Sequence, residues 1–330
     1  MTSRKTLALA AALLVPVTAA SAETPADPAA ILSLQGENAS VGADKPTDRF
    51  YTNGLQLNWT SPTGQVPGFL AELGNTLWGP GQQRIGLGLS QQMYTPDNTA
   101  ANPADRHDRP YAGYLSGNIT LLSDTDTTRS VLILSLGLVG PDSGAEALQN
   151  SFHNLIGQGH DHGWGSQIPD TAAIEVLHER TWRVSMGSLG ALEADFLPAL
   201  SIGLGDVRDY VQVGGSIRIG QGLNADFGVP RIRPGLSGGD VYVPTQPFTW
   251  YIFAGADGQM VGYDLLLQAH PFRSGANANS IWDVAEAQAG AALIAYGVRL
   301  TLAYVVQSPE FEGQRGGWHQ FGSASLGVRF

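Results

Sequence analysis

Gln149 and His153 lie four residues apart in a segment whose residue types favour a helix. Side chains one helical turn apart project from the same side, so these two polar groups are expected to face one neighbour together. An imidazole is the side chain best suited to take a proton from water near neutral pH. The pair therefore predicts a general-base site, although a helical histidine beside leucines is also a common packing residue.

Two further polar residues occur where the first two strands of a sheet are expected. Asn38 ends the first strand and Thr52 begins the second, so antiparallel pairing would bring both to one patch of wall. An amide, a hydroxyl or a divalent cation can stabilise the oxyanion formed when water attacks an ester. Asn38 and Thr52 are therefore candidates to act beside His153, and it is the family resemblance described below that implies a catalytic set of these three residues. The one Gly-x-Ser-x-Gly match, residues 235–239, lies in a Pro- and Gly-rich connection and not between a strand and a helix, so it does not form the elbow of a serine nucleophile.

Two other groups have a possible chemical role and a simpler alternative. The histidines of residues 159–162 are spaced to bind zinc, but the same stretch is also typical of an exposed polar loop. The guanidinium of Arg109 suits a phosphate of the substrate. Its alternative is an ion pair with Asp105 or Asp108.

The rest of the chain predicts the strands that position these residues. Segments of about ten residues alternate apolar with small or polar types, as in residues 55–59 and 131–138. After residue 22 there is no apolar run of about 18 residues, so only a closed barrel could span a bilayer. A soluble β-sandwich would need a polar outer face. We therefore expect an all-β fold, a twelve-stranded antiparallel transmembrane β-barrel, with strands at 29–39, 50–61, 83–95, 111–123, 129–140, 174–187, 190–206, 208–220, 247–266, 284–295, 298–308 and 319–330.

The connections between these strands differ in character. Between strands 5 and 6, Leu148, Phe152 and residues 155–156 have helical spacing, which predicts a short helix that carries Gln149 and His153. The longer connections, rich in Pro, Gly and Asn, are expected to include the outward-facing loops of the barrel, and they span 96–110, 221–245 and 270–281.

Both ends of the chain indicate export to an outer membrane. Residues 1–22 combine Arg4 and Lys5, a short apolar stretch and a small-residue triplet, which is typical of a secretory signal and leaves one barrel domain, 23–330. The last strand alternates and ends on Phe330, as in proteins inserted into the outer membrane. An even strand count places both termini on the periplasmic side.

Charge and cysteine content exclude several functions. Without Arg4 and Lys5 there are 16 basic and 29 acidic residues, a net charge of −13, which argues against a nucleic-acid partner. The chain has no cysteine, so disulfides, thiolate metal sites and a cysteine nucleophile are excluded. A pore is less favoured, because side chains fill most of a barrel of this size.

Several motifs, in this order, resemble one family, the outer-membrane lipid A 3′-O-deacylases. The resemblance extends from about residue 31 to the C-terminus, and its most specific part is the Gly-Pro-Asp block with the Gln and His that follow it. The motifs are residues 47–55, 94–96, 109–113, 140–144 leading through Gln149 and His153 to Gly157, and Gly163-Trp164 with Gln167.

The resemblance implies an activity and roles for individual residues. It implies a twelve-stranded barrel that hydrolyses the ester linking an acyloxyacyl group to the 3′ position of lipid A, in lipopolysaccharide. His153 would be the general base, assisted by Ca²⁺ as in secreted phospholipase A2, with Asn38 and Thr52 beside it. Gln149 and Arg109 are then expected to bind substrate.

Two positions depart from the family pattern and leave alternatives open. Ala39 stands where the family usually has aspartate, and Gly159 where a family member has an acidic residue. Calcium would then need Glu37, Asp44, Asp48 or backbone oxygens as ligands. The alternatives are a non-catalytic lipopolysaccharide-binding or structural barrel, and an outer-membrane phospholipase.

Overall fold

The computed structural model describes residues 26–41, 48–105, 107–157, 159, 161–232, 234–268 and 278–330. The predicted signal segment, residues 1–22, lies outside this range. The described residues contain three α-helices: α1 (Gly68–Trp78), α2 (Ala145–Ile156) and α3 (Leu265–Gln268). The strands are β1 (Ile31–Asn38), β2 (Phe50–Thr60), β3 (Gln82–Thr95), β4 (Ala112–Asp124), β5 (Thr128–Val139), β6 (Thr171–Trp182), β7 (Val184–Leu189), β8 (Leu192–Gly205), β9 (Arg208–Gln221), β10 (Phe248–Asp264), β11 (Asp283–Ala295), β12 (Val298–Gln307) and β13 (His319–Arg329).

The strands form one closed antiparallel sheet. β1 pairs with both β2 and β13, and the ring closes through β6 and β8. β7 follows β6 after Arg183 and pairs with the first half of β8, so it is an extra strand beside a wall of twelve. The predicted twelve-stranded barrel with a short helix between β5 and β6 is confirmed.

Side chains alternate between the inside and the outside of the wall. On β1, Leu32 and Leu34 are exposed, whereas Ser33 and Gln35 are buried. Exposed leucines, isoleucines and valines recur on the outer face of the neighbouring strands. An apolar outer face with a polar interior is the arrangement of a barrel surrounded by lipid.

The two ends of the barrel are distinct. The terminal end, as we call it, holds both ends of the described chain, where the N–H of Ala30 donates to the carbonyl of Phe330 at 2.9 Å. The distal end, opposite, carries the connection from β1 to β2 and the segment with α2. None of the helices among the described residues is long and apolar enough to cross a membrane.

The connection between β9 and β10 fills the lumen. Both ends of this connection lie at the terminal end of the barrel. Phe248, the first residue of β10, pairs with Ala295, the last residue of β11, beside the turn from β11 to β12. Its apolar side chains, such as Val229 and Val241, are buried inside the barrel. The prediction that residues 221–245 belong to the outward-facing loops is therefore wrong, and we call these residues the lumenal plug.

Ion pairs and hydrogen bonds hold the lumenal plug to the wall. Arg231 pairs with Glu37 and with Glu286, both at 2.9 Å and all fully buried. Asp240 accepts hydrogen bonds from Ser33 and Asn58 at 2.7 and 2.6 Å. Wall residues and the plug leave a cavity of about 180 Å³ between them. The lumenal plug therefore supplies ion-pair and hydrogen-bond partners to part of the polar inner face.

Candidate active site

The helix α2 lies against the outer face of the wall at the distal end. A Cβ atom at Gly113 would collide with Ser143 and Ala145, so the start of α2 packs directly on β4. Gly113 shares its face with Ile119, which is exposed. A buried cluster fastens this segment to the wall, and it consists of Met93, Ala104, Tyr111, Ala145 and Trp164.

The polar face of α2 points to the wall and its apolar stripe points away. Gln149 and His153 are buried, with His153 only 4% exposed. Leu148 and Phe152 are exposed, and Leu155 is 82% exposed. A helix in water would bury the leucines instead, so this orientation fits a helix whose outer side meets lipid.

Two contacts fix the imidazole of His153. Its Nδ1 lies 3.0 Å from the carbonyl oxygen of Gly159. Because a carbonyl oxygen only accepts, Nδ1 carries the hydrogen, and in the neutral ring Nε2 keeps its lone pair. Nε2 lies 3.4 Å from Oδ2 of Asp48, whose side chain is 28% exposed. The imidazole is therefore held in the tautomer whose Nε2 can accept a proton, and this nitrogen lies beside the carboxylate of Asp48.

A pair of threonines holds Asp48 in place. The hydroxyl of Thr95 donates to the backbone carbonyl of Asp48, and it lies 2.7 Å from the hydroxyl of Thr52. Since Thr95 has one hydrogen and gives it to that carbonyl, Thr52 must donate to Thr95. The hydrogen of Thr52 is therefore already used. This geometry suits positioning of Asp48 better than donation to an oxyanion.

Asn38 lies next to Thr52 on the outer wall. The N–H of Ala39 donates to the carbonyl of Thr52 at 3.0 Å, and the Oδ1 of Asn38 accepts from the N–H of Ser40 at 2.7 Å. Asn38 is half-buried and shares the face of Leu34, and its Nδ2 has no acceptor among the described residues. Thr95 and Asp48 link Thr52 to His153, and Asn38 adjoins Thr52 through the backbone of Ala39.

Two side chains beside His153 complete the surroundings. The Oε1 of Gln149 accepts from the indole N–H of Trp164 at 2.7 Å. Its Nε2 is buried and has no partner in the described part of the chain. Asp161 lies in the loop that follows α2, and burial raises the pKa of its carboxyl. Gln149 thus offers an unused N–H donor near the imidazole.

The structure does not bring Arg109 to this patch. Its guanidinium is buried, pairs with Glu310 at 3.1 Å and lies over the ring of Tyr94. The alternative pairing with Asp105 or Asp108 is wrong, because the carboxylate of Asp108 accepts from the backbone N–H of Arg109 instead.

The other sequence candidates have these positions. His162 is exposed, as expected of a polar loop, and His160 lies outside the described residues. Three aromatic residues of the family motifs, Tyr51, Tyr111 and Trp164, are fully buried. Burial of these three rings in and against the wall gives them a packing role.

The described residues do not fit a calcium ion of the kind that the resemblance implies. Ala39 lies in an inward-facing apolar cluster, and the carboxylate of Glu37 is buried in the lumen against Arg231 and Tyr51. Asp44 lies outside the described residues. No group of three or more His, Asp or Glu side chains in the described ranges is placed to hold a metal.

We therefore expect that any ester hydrolysis at this site continues when calcium is chelated. Purified protein would be assayed with EGTA, and again with excess Ca²⁺, and the two initial rates should agree. A rate that collapses in EGTA and returns with Ca²⁺ would show that further oxygens, such as those of Asp44, complete a calcium site.

Sequence reasoning missed the residues that support the imidazole. The sequence indicates Asp48 only as a metal ligand, and it does not identify Thr95 or the carbonyl of Gly159 as support for His153. Thr95 does lie within the motif 94–96, which was the available signal. A backbone carbonyl leaves no signal in side-chain patterns.

A closed barrel with an apolar outer face and a polar site under an external helix defines an outer-membrane protein. The model of the family "Outer membrane protein LpxR" matches residues 7–330, so the chain belongs to this family. The resemblance to the outer-membrane lipid A 3′-O-deacylases is thereby confirmed, as is the outer-membrane location.

Comparison with one solved structure agrees on the fold. LpxR from Salmonella typhimurium is 20% identical with a TM-score of 0.75, over 91% of this chain and 100% of that one. The β domain of the Bordetella autotransporter BrkA is 11% identical with a TM-score of 0.41, over 92% and 98% of the two chains. No curated protein sequence matches the chain.

Proposed function

We propose that this protein is a lipid A 3′-O-deacylase-like ester hydrolase, which removes an acyloxyacyl group from lipopolysaccharide with water activated by His153. The observation that carries the proposal is the imidazole on the outer wall, held by Gly159 with Nε2 beside Asp48. Family membership supports the choice of substrate.

The proposed reaction uses the side chains of the patch in turn. Nε2 of His153 takes a proton from water, and the water oxygen attacks the acyl carbonyl carbon. The Nδ2 of Asn38 and the Nε2 of Gln149 are the donors available to the resulting oxyanion. The imidazolium then donates a hydrogen bond to the carboxylate of Asp48, which stabilises the positive charge of the ring. When the carbon–oxygen bond to the sugar breaks, the proton passes to the leaving sugar oxygen.

The surroundings of the site suit a substrate that arrives from the membrane. The exposed stripe formed by Leu148, Phe152 and Leu155 provides an apolar surface for acyl chains next to the buried imidazole. The lumenal plug fills much of the inner route. We therefore propose lateral access along the outer wall, from the lipid leaflet at the distal end.

Mass spectrometry of lipid A tests the proposed activity. Cells that express the protein are expected to yield lipid A lacking the 3′ acyloxyacyl group, while cells with an empty vector retain it. Identical lipid A from both, with the barrel shown to be folded by heat-dependent electrophoretic mobility, would contradict the proposal. That result would favour a non-catalytic lipopolysaccharide-binding barrel, for which Ala39 is the supporting observation.

Liposome assays separate lipid A from glycerophospholipid as the substrate. Purified protein would be given vesicles of phospholipid alone and vesicles that also contain lipid A. Our proposal predicts release of acyl chains from the second preparation only. Equal release from phospholipid alone would identify a phospholipase.

Asp48→Asn should slow turnover by about ten-fold or more without raising KM. The amide keeps the shape of the side chain but removes the charge beside the imidazolium, and a partly exposed pair of charges at this distance is worth on the order of 1–4 kcal/mol. Steady-state kinetics on lipid A vesicles would measure kcat and KM. The matched control is Asp142→Asn, an exposed carboxylate at the start of the same segment, which should leave both constants unchanged. Equal kcat and KM values for the two variants would exclude the proposed role of Asp48 in stabilising the imidazolium.

A further inference from the structure

The helix α1, at the terminal end, has three distinct faces. One face packs on the barrel and includes Gly74 and Trp78. A second face is polar and exposed, with Glu72 and Thr76. The third face is apolar and exposed, and it consists of Phe69, Leu73 and Leu77, four residues apart, with Phe69 73% exposed.

Contacts to the outer wall fix the orientation of these faces. The indole N–H of Trp78 donates to Nε2 of His178 at 3.0 Å, and the two rings are stacked. The side chain of Gln83 donates to the carbonyl of Ala71 and to Oδ1 of Asn75. His178 shares the outward face of β6 with the exposed Val176. α1 therefore lies on the outside of the barrel.

The position of α1 coincides with the margin of the lipid-facing surface. On β4, against which α1 packs, the outward residues Ile119 and Leu121 are apolar and are followed by Ser123. Ile119 is exposed, but Leu121 is only 4% exposed. The apolar stripe of α1 thus continues the apolar belt of the wall at its terminal edge.

We propose that α1 is an interfacial helix whose stripe of Phe69, Leu73 and Leu77 inserts among the acyl chains of the phospholipid leaflet at the terminal end. A helix that meets protein, lipid and water needs three faces of this kind, whereas a helix exposed only to water would not present three large apolar side chains in a row. Glu72 and Thr76 then face the headgroups and water. The stripe would anchor the barrel at a fixed depth.

Spin labels at single cysteines test this placement, because the natural chain has no cysteine. Leu73→Cys reports on the stripe, and Glu72→Cys is the matched control on the adjacent polar face. Both labelled proteins would be reconstituted in vesicles of phosphatidylethanolamine and phosphatidylglycerol. Collision with oxygen, which concentrates in lipid, would be compared with collision with a water-soluble nickel chelate.

We expect a several-fold higher oxygen-to-nickel ratio at position 73 than at position 72. Equal ratios at the two positions would show that the stripe faces water and would overturn the proposal. A label at 73 that neither reagent reaches, with spin–spin broadening that grows with protein density, would instead show a second copy on the stripe, which also overturns it. Leu77→Cys repeats the test one turn further along the helix.

Discussion

His153→Ala is expected to lower the rate of lipid A deacylation by about 10³-fold, within the range of 10²–10⁴ that general-base catalysis supplies. The substitution removes Nε2, the proton acceptor of an imidazole whose Nδ1 is fixed by the carbonyl of Gly159. Product formation would be followed by mass spectrometry over time with purified protein in lipid A vesicles.

The control for this variant is His162→Ala, an exposed histidine in the loop that follows α2. It should deacylate at the natural rate. Both variants must show the heat-dependent mobility of a folded barrel, because α2 packs on the wall through this region. A folded His153→Ala protein that keeps its activity would contradict the assignment of the base.

Arg231→Met should destabilise the barrel by about 3–5 kcal/mol, which is the usual effect of leaving a buried charge without its partner. Arg231 belongs to the lumenal plug, and its loss leaves the carboxylates of Glu37 and Glu286 buried and unpaired. Methionine keeps much of the volume of the side chain. Denaturant-induced unfolding, followed by tryptophan fluorescence, would measure the change in the free energy of unfolding.

Two further variants isolate the charge effect. Arg315→Met removes an exposed arginine at the distal end and should leave the unfolding curve unchanged. Combining Arg231→Met with Glu37→Gln removes one of the unpaired charges and should recover part of the lost stability. No recovery in the double variant would show that packing of the plug, and not its charges, dominates.

The wall of the barrel was predictable because its signal is local. Alternation along each strand reports which residues face lipid, and all twelve wall strands were located to within a few residues. The segment 174–187 was predicted as one strand, but it is interrupted at Arg183. The helical spacing of Leu148, Phe152 and Leu155 likewise located α2 correctly.

The features that were not predicted depend on contacts far apart in the chain. The lumenal plug resembles an ordinary Pro- and Gly-rich loop, and contacts between residues far apart in the chain, such as the pairing of Arg231 with Glu37, 194 residues away, place it inside. Spacing also cannot tell which face of α2 is buried. In α2 the leucines point outward, because the outer wall of a membrane barrel meets lipid instead of water.

Part of the candidate site was accessible from the sequence. His153, Gln149, Asn38 and Thr52 are identified from their types and from the motifs, and in the structure Thr95 and Asp48 link Thr52 to His153. The support that Asp48 and Thr95 provide was not accessible from the sequence. The connection from β1 to β2 is far from α2 along the chain, and the two meet only in the folded barrel.

Hydrolysis in water enriched in ¹⁸O tests most directly whether His153 activates water at an acyl ester. Purified protein would be incubated with lipid A vesicles in H₂¹⁸O, and both products would be analysed by mass spectrometry. Attack of water on the acyl carbonyl predicts one ¹⁸O atom in the released acyl chain and none in the sugar product, with no release by the His153→Ala protein. No released acyl chain, or ¹⁸O in the sugar product, would contradict the account.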